Sequence, residues 1–222
     1  ATGSYDAATR CYELRLSQST PATPGQPAKQ PFHIPVLAGL LDQAGNELSV
    51  RHPDIRMVDG NLLLELRQES RTFRFENLPS EPVPSLLRGF SAPVSLQTDL
   101  SDEQLAFLWS RDTDPYNRWQ AGQSLAINVT RELARRWHAK SPLELDRGFS
   151  DAWSALLGDE KTDPGLLAEL LLLPEEPALS AGLARIDIDG HYAARAYIAR
   201  QLAGNNRQRL LERYRALAVA GP

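Results

Sequence analysis

Cysteine occurs once, at Cys11, and methionine once, at Met57. A lone cysteine excludes an intramolecular disulfide and suits a reducing compartment, so the chain is expected to be cytoplasmic. Lysine is almost as scarce: only Lys29, Lys140 and Lys161 occur, and the arginines are scattered through 24 basic and 28 acidic residues. The formal charge of −4 and the missing basic cluster argue against nucleic acid as a partner. Long apolar runs are missing too. The richest, Leu166 to Leu173, is interrupted by Glu169 and falls far short of the roughly 20 residues that cross a bilayer, so no membrane partner is expected. No basic-then-apolar leader opens the chain.

What is present changes character near residue 98. The first part carries ten of the 16 prolines, whereas the rest is rich in Ala, Leu and Arg. This composition step places a domain boundary between 1–98 and 99–222. Ala1 to Asp6 reads as the end of a strand or a turn, and Leu210 to Gly221 is still helical in pattern, so the chain reads as a piece of something longer.

In the first part Tyr12, Leu14 and Leu16 alternate with Glu13, Arg15 and Ser17, the period of two that puts one strand face on a core. A Pro-rich connection, Pro21 to Pro31, leads to a more buried strand, Phe32 to Leu41, closed by a turn over 42–46. Further extended segments are expected at Asn61–Leu66, Arg71–Phe75, Val83–Phe90 and Pro93–Thr98. About seven short segments flanked by proline suggest an immunoglobulin-like β-sandwich.

The second part announces its helices by their caps. Ser101 followed by Gln104 forms a capping box, and Asp114-Pro115 and Asp163-Pro164 pair a capping carboxylate with proline at the first helical position. Trp119, Leu125, Val129, Leu133 and Trp137 mark one helix face, and Leu166, Leu167, Leu170 and Leu171 another. Further helices are expected over Ser150–Leu157, Gly190–Leu202 and Arg207–Ala218. Short helices joined by brief loops suggest an all-α, helical-repeat (solenoid-like) segment.

A reaction centre is hard to assemble from this chain. His33, His52, His138 and His191 each lack a second His or a Cys three to five residues away, so the local spacing of a zinc site is missing. His33 is placed in a strand and His138 at the negative end of a helix dipole. Gly122-Gln-Ser-Leu-Ala126 lacks the second glycine of a nucleophile elbow and lies within a helix. Cys11 has no base beside it and reads as a packing residue. Asp159-Glu160 and Glu175-Glu176 read as solvated faces or helix caps. Asn128-Val-Thr130 is a chance match to a glycosylation acceptor. No catalytic, cofactor-binding or metal-ligating residue is assigned.

The run Tyr12-Glu-Leu-Arg-Leu-Ser-Gln-Ser-Thr-Pro-Ala-Thr-Pro24, continuing through Lys29-Gln-Pro-Phe-His-Ile-Pro35, resembles the bacterial aminopeptidase N family of zinc-dependent gluzincin aminopeptidases. Phe90-Ser-Ala-Pro-Val94, Ser101 to Leu108, Arg118-Trp-Gln-Ala-Gly-Gln-Ser-Leu125 and Asp159-Glu-Lys-Thr-Asp-Pro164 are similar to the same family in the same order. Gly158 and the stretch Pro174 to Gly190 depart from it. The resemblance implies a small β-sandwich and the first part of a large helical domain. It places the zinc-binding HExxH helix upstream, so zinc belongs to the parent protein, and implies as partners the remaining parent domains and, through its active site, peptides. An incomplete helical array implies an exposed apolar face that is sticky or dimerises. The alternative is a stand-alone protein–protein interaction module built from the same two layers.

Overall fold

The computed structural model describes residues 1–50 and 52–218. Positions 219–221 of the expected terminal helical run lie outside the described residues. The chain divides into two compact units: Ala1–Gln104 with Arg111–Asn117, and Leu105–Ser110 with Arg118 onward.

The first unit is the expected immunoglobulin-like sandwich. Strands β1 (Thr2–Asp6), β2 (Cys11–Ser17) and β6 (Ser70–Phe75) form one antiparallel sheet in the order β1-β2-β6. Strands β4 (Arg56–Val58), β5 (Asn61–Leu66), β3 (Ile34–Leu41) and β7 (Val83–Leu86) form the other, in the order β4-β5-β3-β7. The pairing of Tyr12 with Phe75 and Leu14 with Phe73 puts the inward residues of β2 and β6 side by side. They share one core with Val36, Ala38, Leu40, Leu62 and Leu64. The Tyr12 and Phe75 rings stack with centroids 6.5 Å apart.

Several expected strands have different limits. Phe32 and His33 precede β3, because the Gln18 side chain takes the place of a neighbouring strand. Its Nε2 donates to the Phe32 carbonyl at 2.8 Å and its Oε1 accepts from the Phe32 N–H at 2.8 Å. Val83–Phe90 is cut short at Leu86, where Leu87 turns to φ 60° and a 3-10 turn, Arg88–Phe90, follows. Pro93–Thr98 is irregular, tied instead by the Ala1 amino group to the Gln97 carbonyl at 2.7 Å. Ala1–Asp6 contributes an edge strand rather than a strand end or turn. The short β4 turns into β5 through Asp59-Gly60, with φ 48° and 81°, the pair of positive values that suits a two-residue hairpin.

The helices are α1 (Asp102–Arg111), α2 (Pro115–His138), α3 (Arg147–Leu157), α4 (Pro164–Leu171), α5 (Glu176–Ser180), α6 (Ile188–Asn205) and α7 (Arg207–Leu217). The capping box forms in both directions: the Gln104 N–H donates to Ser101 Oγ at 3.2 Å and the Ser101 N–H to Gln104 Oε1 at 3.0 Å. Asp163 caps α4 by accepting from the Gly165 and Leu166 N–H groups at 2.9 and 3.0 Å. Helix α3 starts three residues earlier than Ser150, because Asp146 accepts from the Phe149 N–H at 2.8 Å. Likewise α6 begins at Ile188, capped by Asp187 through the Gly190 N–H at 3.1 Å. Helix α5 is an addition to the expected set.

The core of the second unit gathers around the end of α4. A helix C-terminus leaves carbonyls without intrahelical donors. Here Trp109 Nε1 donates to the Leu170 carbonyl and Trp153 Nε1 to the Leu171 carbonyl, both at 3.1 Å, while Gln123 Nε2 reaches the Leu172 carbonyl at 2.9 Å. Trp109 also stacks on Phe149 at 5.4 Å. Gly122 faces the Trp109 indole at a distance that leaves no room for a Cβ. From the expected α2 face Leu125, Val129 and Leu133 are buried, whereas Trp137 is 41% exposed.

Candidate functional site

The strongest polar constellation lies inside the sandwich unit and is centred on Arg88. It follows β7, whose four residues are all buried, on a bend where Leu87, Gly89 and Phe90 take φ values of 60°, 59° and 54°. Left-handed backbone at Leu87 and Phe90 is strained and persists only where surrounding contacts hold it. Those contacts come from the Arg88 side chain, which is carried inward and left 4% exposed. Its Nε donates to Ser85 Oγ at 2.8 Å, and Nη1 lies 2.6 Å from Glu47 Oε1 and 3.2 Å from Asn61 Oδ1. Nη2 lies 3.2 Å from Asp112 Oδ1. Gly39 provides the space: a Cβ there would overlap the guanidinium.

Residues 111–117 belong to this unit because they close the other side of the constellation. Asp112 is completely buried, and its Oδ1 also accepts from the Asp114 N–H at 3.0 Å, while Oδ2 has no hydrogen-bond partner. Burial pushes the Asp112 carboxyl above the ordinary carboxylate range, against the opposing hydrogen bonds and the Arg88 charge. Asn117 Nδ2 donates to Ser85 Oγ at 2.7 Å and to the Leu86 carbonyl at 3.0 Å. Asp114 caps α2 through the Asn117 N–H and holds the bend through the Gly89 N–H, each at 2.9 Å. Thr113 Oγ1 donates to Glu47 Oε1 at 2.8 Å. The arrangement neutralises a buried cation and ties a turn to a strand end. It offers no nucleophile paired with a base, so its chemistry is that of a latch.

Apart from His191 and Glu176, the histidines, the cysteine and the carboxylates singled out by residue type and spacing lie elsewhere and are not brought together. His33, expected within a strand but lying just before β3, sits 3.0 Å from Glu65 Oε1. His52 Nδ1 accepts from the Asp54 N–H at 3.1 Å. His138, the last residue of α2, binds both Asp187 oxygens at 2.8 and 2.9 Å. Partial burial alone would raise Asp187, but the His138 and Gly190 hydrogen bonds and the charges of His138 and His191 outweigh it and hold the carboxyl below its usual value. Cys11 is buried in β2, and Ser124 lies within α2. Asp159 accepts from the Lys161 N–H and from Thr162 in its own turn, which keeps its carboxyl low.

His191 and Glu176 form an unforeseen pair. The buried imidazole Nδ1 lies 2.8 Å from Glu176 Oε1, which also accepts from Ser180 Oγ at 2.7 Å. Serine, carboxylate and histidine are all present, but the carboxylate stands in the middle, so no imidazole can take the serine proton. Among the described residues no group of three or more His, Cys, Asp or Glu side chains could hold a metal ion. A hollow of about 930 Å³ in the sandwich unit is walled by Phe32, Ile34, Leu66, Leu87, Val94 and Leu96, with His33 its one titratable side chain among the described residues.

Comparison with known proteins gives a consistent picture. Residues 1–99 match the family described as a domain of unknown function, DUF3458, with an Ig-like fold, and residues 102–222 match DUF3458_C, described as ARM repeats. Aminopeptidase N of Escherichia coli strain K12 is 38% identical over 215 residues, 96% of this chain and 24% of its own length. Aminopeptidase N of Haemophilus influenzae is 33% identical over 210 residues, 95% of this chain and 24% of that protein. The crystal structure of Legionella pneumophila aminopeptidase A in complex with aspartic acid superposes with a TM-score of 0.78 at 27% identity, covering 100% of this chain and 24% of that one. The chain therefore spans about a quarter of the length of these relatives.

Proposed function

As the chain belongs to the DUF3458 family, with an Ig-like fold followed by ARM repeats, we propose that it is the non-catalytic portion of a zinc aminopeptidase that removes N-terminal amino acids from peptides. One observation carries this reading: similarity to aminopeptidase N runs along 95–96% of the chain. In this role the sandwich, residues 1–98, positions its neighbours, and the helices from residue 99 onward wall a chamber that admits small peptides. The Arg88 latch supports the positioning role, since it holds the 111–117 turn on a buried polar core. Zinc is assigned to polypeptide outside these residues; among the described residues no group of three or more His, Cys, Asp or Glu side chains could hold a metal ion. The partners are the remaining domains of the longer chain and, through its active site, peptides. The setting is the cytoplasm, with neither nucleic acid nor membrane involved; among the described residues no helix is long and apolar enough to cross a bilayer.

The test is direct. The 222-residue chain, incubated with zinc and an aminoacyl chromogenic substrate, is expected to release no product above a matched blank. Turnover that is abolished by a chelator would overturn the assignment.

A further inference from the structure

We propose that the segment from Glu176 to Asp187, which comprises α5 and its connection to α6, is a pH-responsive strap whose ends are fastened by imidazoles from two helices and loosen as those imidazoles lose charge. At one end His191 of α6 reaches Glu176 Oε1 through Nδ1 at 2.8 Å. At the other, His138 at the end of α2 meets both Asp187 oxygens at 2.8 and 2.9 Å. The middle is held by groups that pH does not alter in the neutral range. Leu179 is fully buried, and the Arg131 guanidinium donates to the Leu179 carbonyl at 2.8 and 3.0 Å and to the Ala181 carbonyl at 2.8 Å. Gly182 follows at φ 73°, and beyond it the strap runs outward to Ile186, which is 59% exposed. Asp187 then caps α6 through the Gly190 N–H at 3.1 Å, so the same carboxylate serves His138 and the first turn of α6.

The imidazoles are the variable partners in these contacts. Histidine changes charge between about pH 5 and 8, and a hydrogen bond from an imidazolium to a carboxylate is roughly twice as strong as its neutral counterpart. The carboxylates are the fixed partners: partial burial is outweighed at both by hydrogen bonds and nearby positive charge, so each is ionised from about pH 5 upward. The remaining charges on the packed elements keep their state over that range. On α6 these are Asp189 and Arg195, the latter close enough to act on Glu176. On α2, Arg131 is committed to carbonyls, and Arg135 and Arg136 to Glu132. On α3, Arg147 pairs with Asp151, while Arg209 and Arg213 of α7 lie on the Ser154 and Asp159 carbonyls. The His191 side chain is 2% exposed against 53% for His138, so water screens the Glu176 contact less and that end carries the larger share of the change. Charged imidazoles hold α5 to α6 and the start of α6 to α2. Neutral ones leave the Arg131 anchor in place and free the two ends.

Hydrogen–deuterium exchange of the chain at about pH 5.5 and about pH 8, read by mass spectrometry and corrected for intrinsic rates, tests this. Peptides covering 176–191 are expected to lose about tenfold in protection at the higher pH, while those covering 121–134 of α2 keep theirs. His191→Gln and His138→Gln each supply a neutral amide donor that does not titrate, with circular dichroism melts confirming that each variant folds. The double variant should be equally protected at both pH values, and His191→Gln alone should remove most of the change. Should the buried substitution unfold the chain, His138→Gln, at an exposed site, must still reduce the change. Equal protection of 176–191 at the two pH values in the wild-type chain, a loss shared by 121–134, or a loss undiminished in the variants would each overturn the proposal.

Discussion

Arg88 shows how one buried side chain can fix a local backbone that its own sequence disfavours. Its guanidinium is compensated by Glu47 and Asp112, so removing one partner is expected to cost far more than a surface ion pair would. Arg88→Leu leaves Asp112 buried beside an apolar group and should lower unfolding stability by about 3–5 kcal/mol, read by urea denaturation. Gly39→Ala should give a loss of similar sign without touching any charge, since its Cβ would displace the guanidinium. An unchanged midpoint in both variants would refute the latch. None of this is legible in the sequence. Glu47, Asn61 and Asp112 lie 41, 27 and 24 residues from Arg88, and no local pattern joins them. The one available signal is an arginine within the mostly apolar run Val83 to Phe90, whose other polar side chain is Ser85, and the same arginine explains why that run is not a single strand.

At the scale of elements, what can be read is what short-range chemistry decides. The Ser101–Gln104 box, the Asp163-Pro164 start and the alternation from Tyr12 to Leu16 are satisfied within a few residues or by strand periodicity, and each appears where expected. The Asp59-Gly60 hairpin is available on the same grounds but requires noticing that three residues, Arg56–Val58, suffice for a strand. Helix α5, five residues long, is stabilised by nonlocal bonds from His191 and Arg131 rather than by its own pattern. The end of α4 offers a sharper test of such nonlocal support. Trp109→Phe keeps most of the packing but removes the donor to the Leu170 carbonyl, and is expected to cost about 1–3 kcal/mol in the same denaturation assay. The α5–α6 region predicts a pH dependence as well. For Glu176, partial burial is outweighed by the hydrogen bonds from His191 and Ser180 and the nearby charges of His191 and Arg195, so both it and Asp187 sit below their unfolded values. A depressed carboxylate contributes stability above its unfolded pKa, about 4, and loses it as pH falls through the folded value. Thermal melts should therefore fall below about pH 4, and the slope should be shallower in a His138→Ala/His191→Ala variant; parallel acid limbs would refute the pairing.

For the molecule as a whole, chain order and compact units do not coincide. The composition step at residue 98 divides proline-rich from alanine-rich sequence, yet residues 111–117 return to the sandwich unit after Leu105–Ser110 has entered the helical one. A chain ending at residue 98 contains every strand but lacks Asp112, Asp114 and Asn117. Arg88 would then keep Glu47 as its one carboxylate beside Ser85 and Asn61, the Ser85 hydroxyl and Leu86 carbonyl would lose the Asn117 amide, and the Gly89 N–H would lose Asp114. Strain at Leu87 and Phe90 would relax once those bonds are gone. A chain ending at residue 117 retains them all. The longer of the two is therefore expected to be more stable by several kcal/mol, with slower amide exchange at Leu87 to Phe90, even though the added residues bring no strand. Equal stability of the two truncations would mean that the sandwich is complete without its returning turn, and the positioning role argued for Arg88 would fail with it.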